Sequence, residues 1–463
     1  MQRLSPPPLV RHALLSHRLT VVAAALVYVA VLHYIHQNHI APTFSYLQYT
    51  YRYPDPLSYA FAIALVVVSA TVLPRRISRP SHFIVWTLFT VAVVPSIVVP
   101  QYTEVLPVTR AAELAMWVTG SYLLVAVFGT RRALRGFLPR LQMTASTFWI
   151  GIAVLAAAGY AYILATVGLR LELPSLSDVY GVRAEFAGEE ASSALLSYLV
   201  PLLANVLNPI IMLRGLYAKR WPWIVVGIVG QMFIFSFTGY RTAILSPLAL
   251  IAASVLFRRR ARPSGAALLV AMTAVSAATV VMDWVTSSIE WTSLLVRRFL
   301  ITPGLLTAGY VAVFSDIEKA HLAHSFLSPL FHYPHEVEPP LLVGAQFFGN
   351  EGTNANANLL ADGFANFGYP GMVIACLALV VLLWVIDDAA RGIPLAVSSL
   401  VFLMPTLALA DSGVFTAMLT HGFLAAVLVC LCMPRLGWGR RPARSRPSAA
   451  PGRREAQGGG GRC

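Results

Sequence analysis

The chain has 463 residues, 57% of them hydrophobic and 12% charged, with mean hydropathy +0.69. An average soluble domain carries roughly 25% charged residues, so a water-soluble globular protein is excluded. The formal charge of +14 comes from 34 Lys and Arg against 20 Asp and Glu, and because these charges lie between apolar runs they do not form a nucleic-acid surface.

Twelve apolar runs approach the roughly 20 residues that a spanning helix needs. In chain order they cover 19–36, 57–73, 83–99, 111–128, 144–165, 194–217, 223–238, 243–257, 266–285, 369–387, 394–411 and 413–432. The first follows Arg3, Arg11 and Arg18 but ends in no convincing small-residue cleavage site, so it reads as a span and not as a signal peptide. The predicted fold is all-α, a polytopic integral membrane protein of about 12 transmembrane helices. A cytoplasmic segment over 1–18 precedes a transmembrane domain over 19–433. The tail over 434–463, rich in Arg, Pro, Ser and Gly, reads as disordered, with charges suited to anionic lipid. Cys376, Cys430, Cys432 and Cys463 fall in apolar runs or at the C-terminus and give neither a disulfide framework nor a zinc spacing.

Orientation follows from the Lys and Arg of the short connections. With the N-terminus inside, inner segments hold Arg75, Arg76 and Arg79, then Arg131, Arg132, Arg135 and Arg140, then Lys219 and Arg220, then Arg258, Arg259, Arg260 and Arg262. Both termini are expected in the cytoplasm. The outer side is net acidic and carries the two largest connections, 166–193 and 286–368, so function is sought there.

Only eight basic residues fall outside: Arg52, Arg110, Arg170, Arg183, Arg241, Arg297, Arg298 and Lys319. Arg241 sits in the short connection Gly239-Tyr240-Arg241-Thr242, so its guanidinium belongs at or just under the outer surface. There it either snorkels to lipid phosphate or clamps a phosphate ligand. The stretch Ser177-Asp178-Val179-Tyr180-Gly181-Val182-Arg183-Ala184-Glu185-Phe186 suits a short amphipathic helix on the membrane surface. There Arg183 either pairs with Asp178 or Glu185 or turns to a ligand.

The second outer loop opens on Arg297 and Arg298, which as neighbours face different sides of a helix, with Arg298 the preferred ligand contact, and continues to Tyr310. His321, His324, His332 and His335 follow, interrupted by Pro329 and Pro334, in no order that suggests a metal site. Asn356, Asn358 and Asp362 lie in a stretch dense in Asn, Gly and aromatic residues, which suits both turns and sugar recognition. His421, in Thr420-His421-Gly422, falls about 12 Å below the outer end of the last span at 1.5 Å per residue. At that depth a polar side chain faces a bundle interior or cavity, or bonds a neighbouring helix.

In their order and spacing these phrases resemble the oligosaccharide repeat unit polymerases, the O-antigen polymerases of Wzy type. The resemblance covers roughly residues 140 to 432. It rests on Asp178-Val179-Tyr180 to Glu185-Phe186, Gly239-Tyr240-Arg241-Thr242, Arg298-Phe299 before Pro303-Gly304, Asn356-Ala357-Asn358 before Asp362-Gly363-Phe364, and Thr420-His421-Gly422. It implies a GT-C-like membrane glycosyltransferase bundle with a large outer loop, at the bacterial plasma membrane. The partners it implies are a polyprenyl-diphosphate-linked oligosaccharide donor and acceptor, membrane lipid, a chain-length regulator and a flippase, with no nucleic acid and no cofactor or metal.

On that reading Arg241, Arg183 and Arg298 take up charge on the departing diphosphate. His421 is the base, with Asp362 and Glu185 as alternatives. Tyr180, Glu185, Tyr240, Arg297, Tyr310, Asn356, Asn358 and Asp362 would contact substrate. The alternatives are an O-antigen-ligase-like enzyme, a transferase using a polyprenyl-phosphate sugar, and a lipid-linked oligosaccharide flippase or transporter.

Overall fold

In the computed structural model, which describes residues 8–141, 143–170, 174, 179–325, 328–435 and 438, the chain is 75% helical with no strand among the described residues. Fifteen helical elements follow one another. They are α1 (Arg18–Leu47), α2 (Pro56–Val72), α3 (Pro80–Tyr102), α4 (Val108–Gly129), α5 (Ala145–Thr166), α6 (Val179–Ser192), α7 (Ala194–Ala218) and α8 (Trp221–Thr238). Then come α9 (Arg241–Arg259), α10 (Ala266–Thr286), α11 (Thr292–Asp316), α12 (Pro339–Phe348), α13 (Leu359–Ala389), α14 (Leu395–Ala408) and α15 (Val414–Cys432). Eleven are long and apolar enough to cross a membrane, and the fold is that of a polytopic membrane protein.

The eleven are not the predicted twelve. Runs 57–73 and 394–411 become the shorter helices α2 and α14, while α11 lies inside what the sequence presents as the loop 286–368. Its window has the lowest hydropathy of the eleven, 1.3, and the helix carries Arg297 and Arg298; yet 72% of that window is buried, so protein and not lipid covers it. Residues 1–7 and most of the tail beyond Arg435 lie outside the described residues.

Local chemistry sets the helix starts. Asp55 accepts from the Ser58 N–H ahead of α2, Thr144 from Thr147 ahead of α5, and Asn358 from Leu360 and Ala361 ahead of α13. The bundle closes around α3, whose apolar window is fully buried. Polar side chains tie neighbours to it through carbonyls: Tyr122 donates to Val85 O at 2.6 Å and Tyr28 to Thr90 O at 2.8 Å.

Long-range bonds gather the arginine-rich connections at one end. Arg79 pairs with Asp387 at 3.0 Å and also donates to the Thr130 carbonyl. Asp388 accepts from the N–H groups of Gly136 and Leu138, both at 2.8 Å. Ile77 N donates to Pro263 O, Arg258 to Leu216 O, and Arg435 to Ala389 O. Connections 74–79, 130–138, 216–220, 258–263 and 387–392 therefore share one end, as the alternation of basic loops requires.

Candidate functional site

The candidate residues fall into three groups and a remainder, away from that end. The first is built by α6 lying against the α8–α9 turn. Phe186, 1% exposed, packs edge-on to Phe237 at 5.5 Å and to Tyr240 at 5.9 Å. Burying that ring is worth about 2 to 3 kcal/mol. Arg170 adds ion pairs to Glu185 at 2.8 Å and Glu189 at 3.1 Å, but the Glu185 side chain is 64% exposed and such pairs contribute under about 1 kcal/mol each. The aromatic contact is the anchor.

Docked this way, Arg183 turns to the turn. Its Nε donates to Gly239 O at 3.2 Å and its guanidinium carbon lies 5.9 Å from the centre of the Tyr240 ring. Gly239 closes α8 at φ 62°, and Arg241 opens α9 two residues on, at a helix N-terminus whose dipole favours an anion. Arg183, Tyr240 and Arg241 are thus brought together, and Glu185 is turned away to Arg170. Asp178 and the Tyr180 side chain lie outside the described residues.

The second group is the break in α15. The helix stops at Leu419 and resumes at Phe423, with Gly422 at φ 97° between them. A Cβ at Gly422 would lie 2.7 Å from Val206 Cγ2, so the bend needs glycine for both dihedral and space. Asn205 donates to the freed His421 carbonyl at 3.2 Å. Thr420 Oγ1 donates its one proton to Thr416 O at 2.8 Å and lies 2.7 Å from His421 Nδ1. That oxygen can then only accept from the ring, which assigns the proton to Nδ1 and leaves the lone pair on Nε2.

A third group surrounds the start of α13. Asp362 lies against Gly413, where any Cβ would come within 2.3 Å of its carboxylate. With Leu322, Asn366, Phe367 and Val414 it borders a small cleft. Beyond it, Phe367 and Gly368 leave helical geometry, and Gly363 and Gly371 meet backbone to backbone across the reversal. Lys319 donates to the Phe314 carbonyl and stands 5.4 Å over the Phe364 ring. Burial lowers its pKa.

The remaining candidates make other contacts. Asn358, fully buried, accepts from Leu360 N at 3.0 Å and Ala361 N at 3.2 Å and donates to Pro303 O at 3.0 Å and Thr307 Oγ1 at 2.8 Å. Its amide is saturated by protein. Tyr310 donates to Ala355 O at 3.0 Å, and Asn356 is exposed. Arg297 lies 4.2 Å from the Phe44 ring centre and 5.4 Å from that of Tyr49, and bonds Ser293. Arg298, next along a π-helical stretch over Thr292–Ile301, is half-buried. Sequence alone gave no sign of Thr420, Asn205, Phe186 or Gly413 as the positioning partners; two of them, Asn205 and Gly413, come from distant segments.

Among the described residues no group of three or more His, Cys, Asp or Glu is arranged to hold a metal ion. His324 packs at a tilt against Tyr333, His335 edge-on to Phe314 and Tyr333, and His321 at a tilt against Phe367. Comparison with family models, curated proteins and solved structures gives no match to this chain.

Proposed function

We propose that this protein is a membrane glycosyltransferase with a GT-C-like bundle. It joins polyprenyl-diphosphate-linked oligosaccharide repeat units into a surface polysaccharide on the outer face of a bacterial plasma membrane. The observation that carries the reading is the Arg183 guanidinium fixed on the Gly239 carbonyl, beside the turn that presents Arg241. Two guanidiniums at the head of a helix suit a diphosphate, whose negative charge grows as it departs.

The reaction needs no nucleotide at that face, because the donor brings its own leaving group. The bond from the donor's anomeric carbon to the diphosphate oxygen breaks, and the electron pair leaves with the diphosphate toward Arg183 and Arg241. The acceptor hydroxyl oxygen forms the new bond with inversion. His421 Nε2, free to accept, takes the hydroxyl proton, and the Nδ1 contact to Thr420 holds the ring for that step.

A second reading, transport of the lipid-linked unit, is favoured by the broken helices α13 and α15 at one end of the bundle, a feature of transporter sites. Size analysis of lipid-linked glycans in cells lacking the protein separates these readings. Single units held on the outer face, with a ladder on complementation, support the polymerase. Units trapped on the inner face support transport, and a full ladder missing only its final attachment supports a ligase.

A further inference from the structure

Two glycines of α8 let it approach α7 closely: a Cβ at Gly227 would run into Met212, and one at Gly230 would lie 2.8 Å from Asn208 Oδ1. Gln231, next along α8, is fully buried. A buried amide needs a hydrogen bond, and its Nε2 donates to Ala204 O at 2.6 Å.

Ala204 lies in a π-helical stretch of α7, Leu203–Leu207, where neither helical ladder supplies its carbonyl. In an α-helix the N–H of Asn208 would reach it, but that N–H bonds Leu203 O instead. The donor one residue further on would be residue 209, which is proline and has no N–H. Gln231 stands in for both.

His421 depends on that stretch. Asn205 and Asn208, three residues apart, would be neighbours on one face of an α-helix. Here they serve different helices: Asn205 Nδ2 donates to His421 O in α15 at 3.2 Å, and Asn208 Oδ1 accepts from Tyr160 Oη in α5 at 2.8 Å. The break in α15 rests on the same turn, since a Cβ at Gly422 would come within 2.7 Å of Val206 Cγ2 and 3.6 Å of Asn205 Cβ. His421 is therefore held at its ring by Thr420 and at its carbonyl by the π turn.

We infer that Gln231 is a positioning residue for His421: it satisfies Ala204 O, which keeps the π turn, and the π turn holds His421 at the break through Asn205. This rests on the reading of His421 as the base. Without the Gln231 donor the turn has an open buried carbonyl, and tightening it to an α-helix withdraws Asn205 from His421.

The test uses the purified full chain. Gln231→Met keeps the side chain's length without the donor, Asn205→Ala removes the contact to His421, and in Gln231→Glu a carboxyl kept neutral by burial still donates. With a synthetic polyprenyl-diphosphate-linked repeat unit, Gln231→Met and Asn205→Ala should each lower kcat about tenfold or more with KM within about twofold, and Gln231→Glu should stay within about threefold of wild type. Adding Gln231→Met to His421→Ala should slow it no further. Nitrogen NMR of labelled histidine needs no substrate: the His421 signal, assigned by its absence from His421→Ala, should move in Gln231→Met and Asn205→Ala alike. A signal unmoved in both, a loss in Gln231→Glu equal to that in Gln231→Met, or a further loss in the double variant would overturn the assignment. A wild type that extends no unit, with the signal still moving, would sink the polymerase reading while supporting the hold of Gln231 on His421.

Discussion

Arg183 Nε donates to the Gly239 carbonyl at 3.2 Å across 56 residues of sequence, and so fastens the helix of the first large loop to the turn that presents Arg241. The magnitudes above make Phe186, not the Arg170 ion pairs, the anchor of that contact. Phe186→Ala should therefore release α6, a loss of about 3 kcal/mol or more from a buried ring. Arg170→Ala, which removes both ion pairs, should cost under about 2 kcal/mol. Limited proteolysis within 166–193 reads this directly: faster cleavage in Phe186→Ala than in Arg170→Ala is expected, and the reverse order would assign the anchoring to the ion pairs.

The Thr420 hydroxyl fixes the His421 tautomer in the proposed reaction. Thr420→Ser keeps the oxygen and should keep turnover within about twofold, whereas Thr420→Val should lower it by about tenfold or more, within the range of general-base contributions. Nitrogen NMR of labelled histidine should show the Nδ1–H form in wild type and a mixture in Thr420→Val. An unchanged ring in Thr420→Val would remove the threonine from this role whatever the reaction is.

Much of the bundle is legible in the sequence. Ten of the twelve apolar runs coincide with helices long enough to cross a membrane, and the basic connections they separate do meet at one end through pairs such as Arg79 with Asp387. What hydropathy misses is α11: a helix shielded by its neighbours needs no continuous apolar face, and Arg297 is accommodated by the Phe44 and Tyr49 rings, which belong to α1 and the segment just after it. The site is legible by residue type but not by role. Asn358 looks like a sugar-binding amide because nothing local reveals that Pro303 and Thr307 saturate it. Likewise the partner of Glu185 is Arg170, fifteen residues earlier and not on its own helix.

Because the Asn358 amide both caps α13 and joins it to α11, its two halves are separable. Asn358→Asp keeps the capping oxygen but brings a carboxylate oxygen to Pro303 O, and Asn358→Leu removes both functions. Each should destabilise the detergent-solubilised protein, by about 1 to 3 kcal/mol for the lost buried bonds. A melting temperature in Asn358→Leu equal to wild type would mean the amide is free for ligand.

At the arginine-rich end, Asp387 accepts from Arg79, from Ser81 N at 3.0 Å and from Ser81 Oγ at 2.8 Å, with 7% of its side chain exposed. Removing one member of a buried pair strands the other. Asp387→Ala should cost about 3 to 5 kcal/mol, and Asp387→Asn less, since the amide oxygen still accepts from Ser81. Thermal unfolding of the two variants checks the order; equal melting temperatures for Asp387→Ala and wild type would contradict it.

Gly363 and Gly371 touch through their backbones where α13 reverses, and a Cβ at Gly371 would come within 1.8 Å of Gly363 O. Gly371→Ala has no flexible side chain to displace and must part the two helical segments that meet there, at a cost of about 1 to 3 kcal/mol or more. Lowered thermal stability together with displaced Asp362, read by cross-linking of cysteines placed at 362 and 413, is expected. An intact cross-link at wild-type stability would show that contact to be more accommodating than its geometry.

The most direct measurement is made with purified protein and a synthetic polyprenyl-diphosphate-linked repeat unit, following product size over time for wild type, Arg183→Ala, Arg241→Ala and Arg241→Lys. A ladder from wild type is predicted, with rates lowered at least a hundredfold in both alanine variants and partly restored in Arg241→Lys, while all four unfold at similar temperatures. A wild-type protein that leaves the unit unextended, or alanine variants that extend it at the wild-type rate, would contradict the diphosphate clamp at this turn.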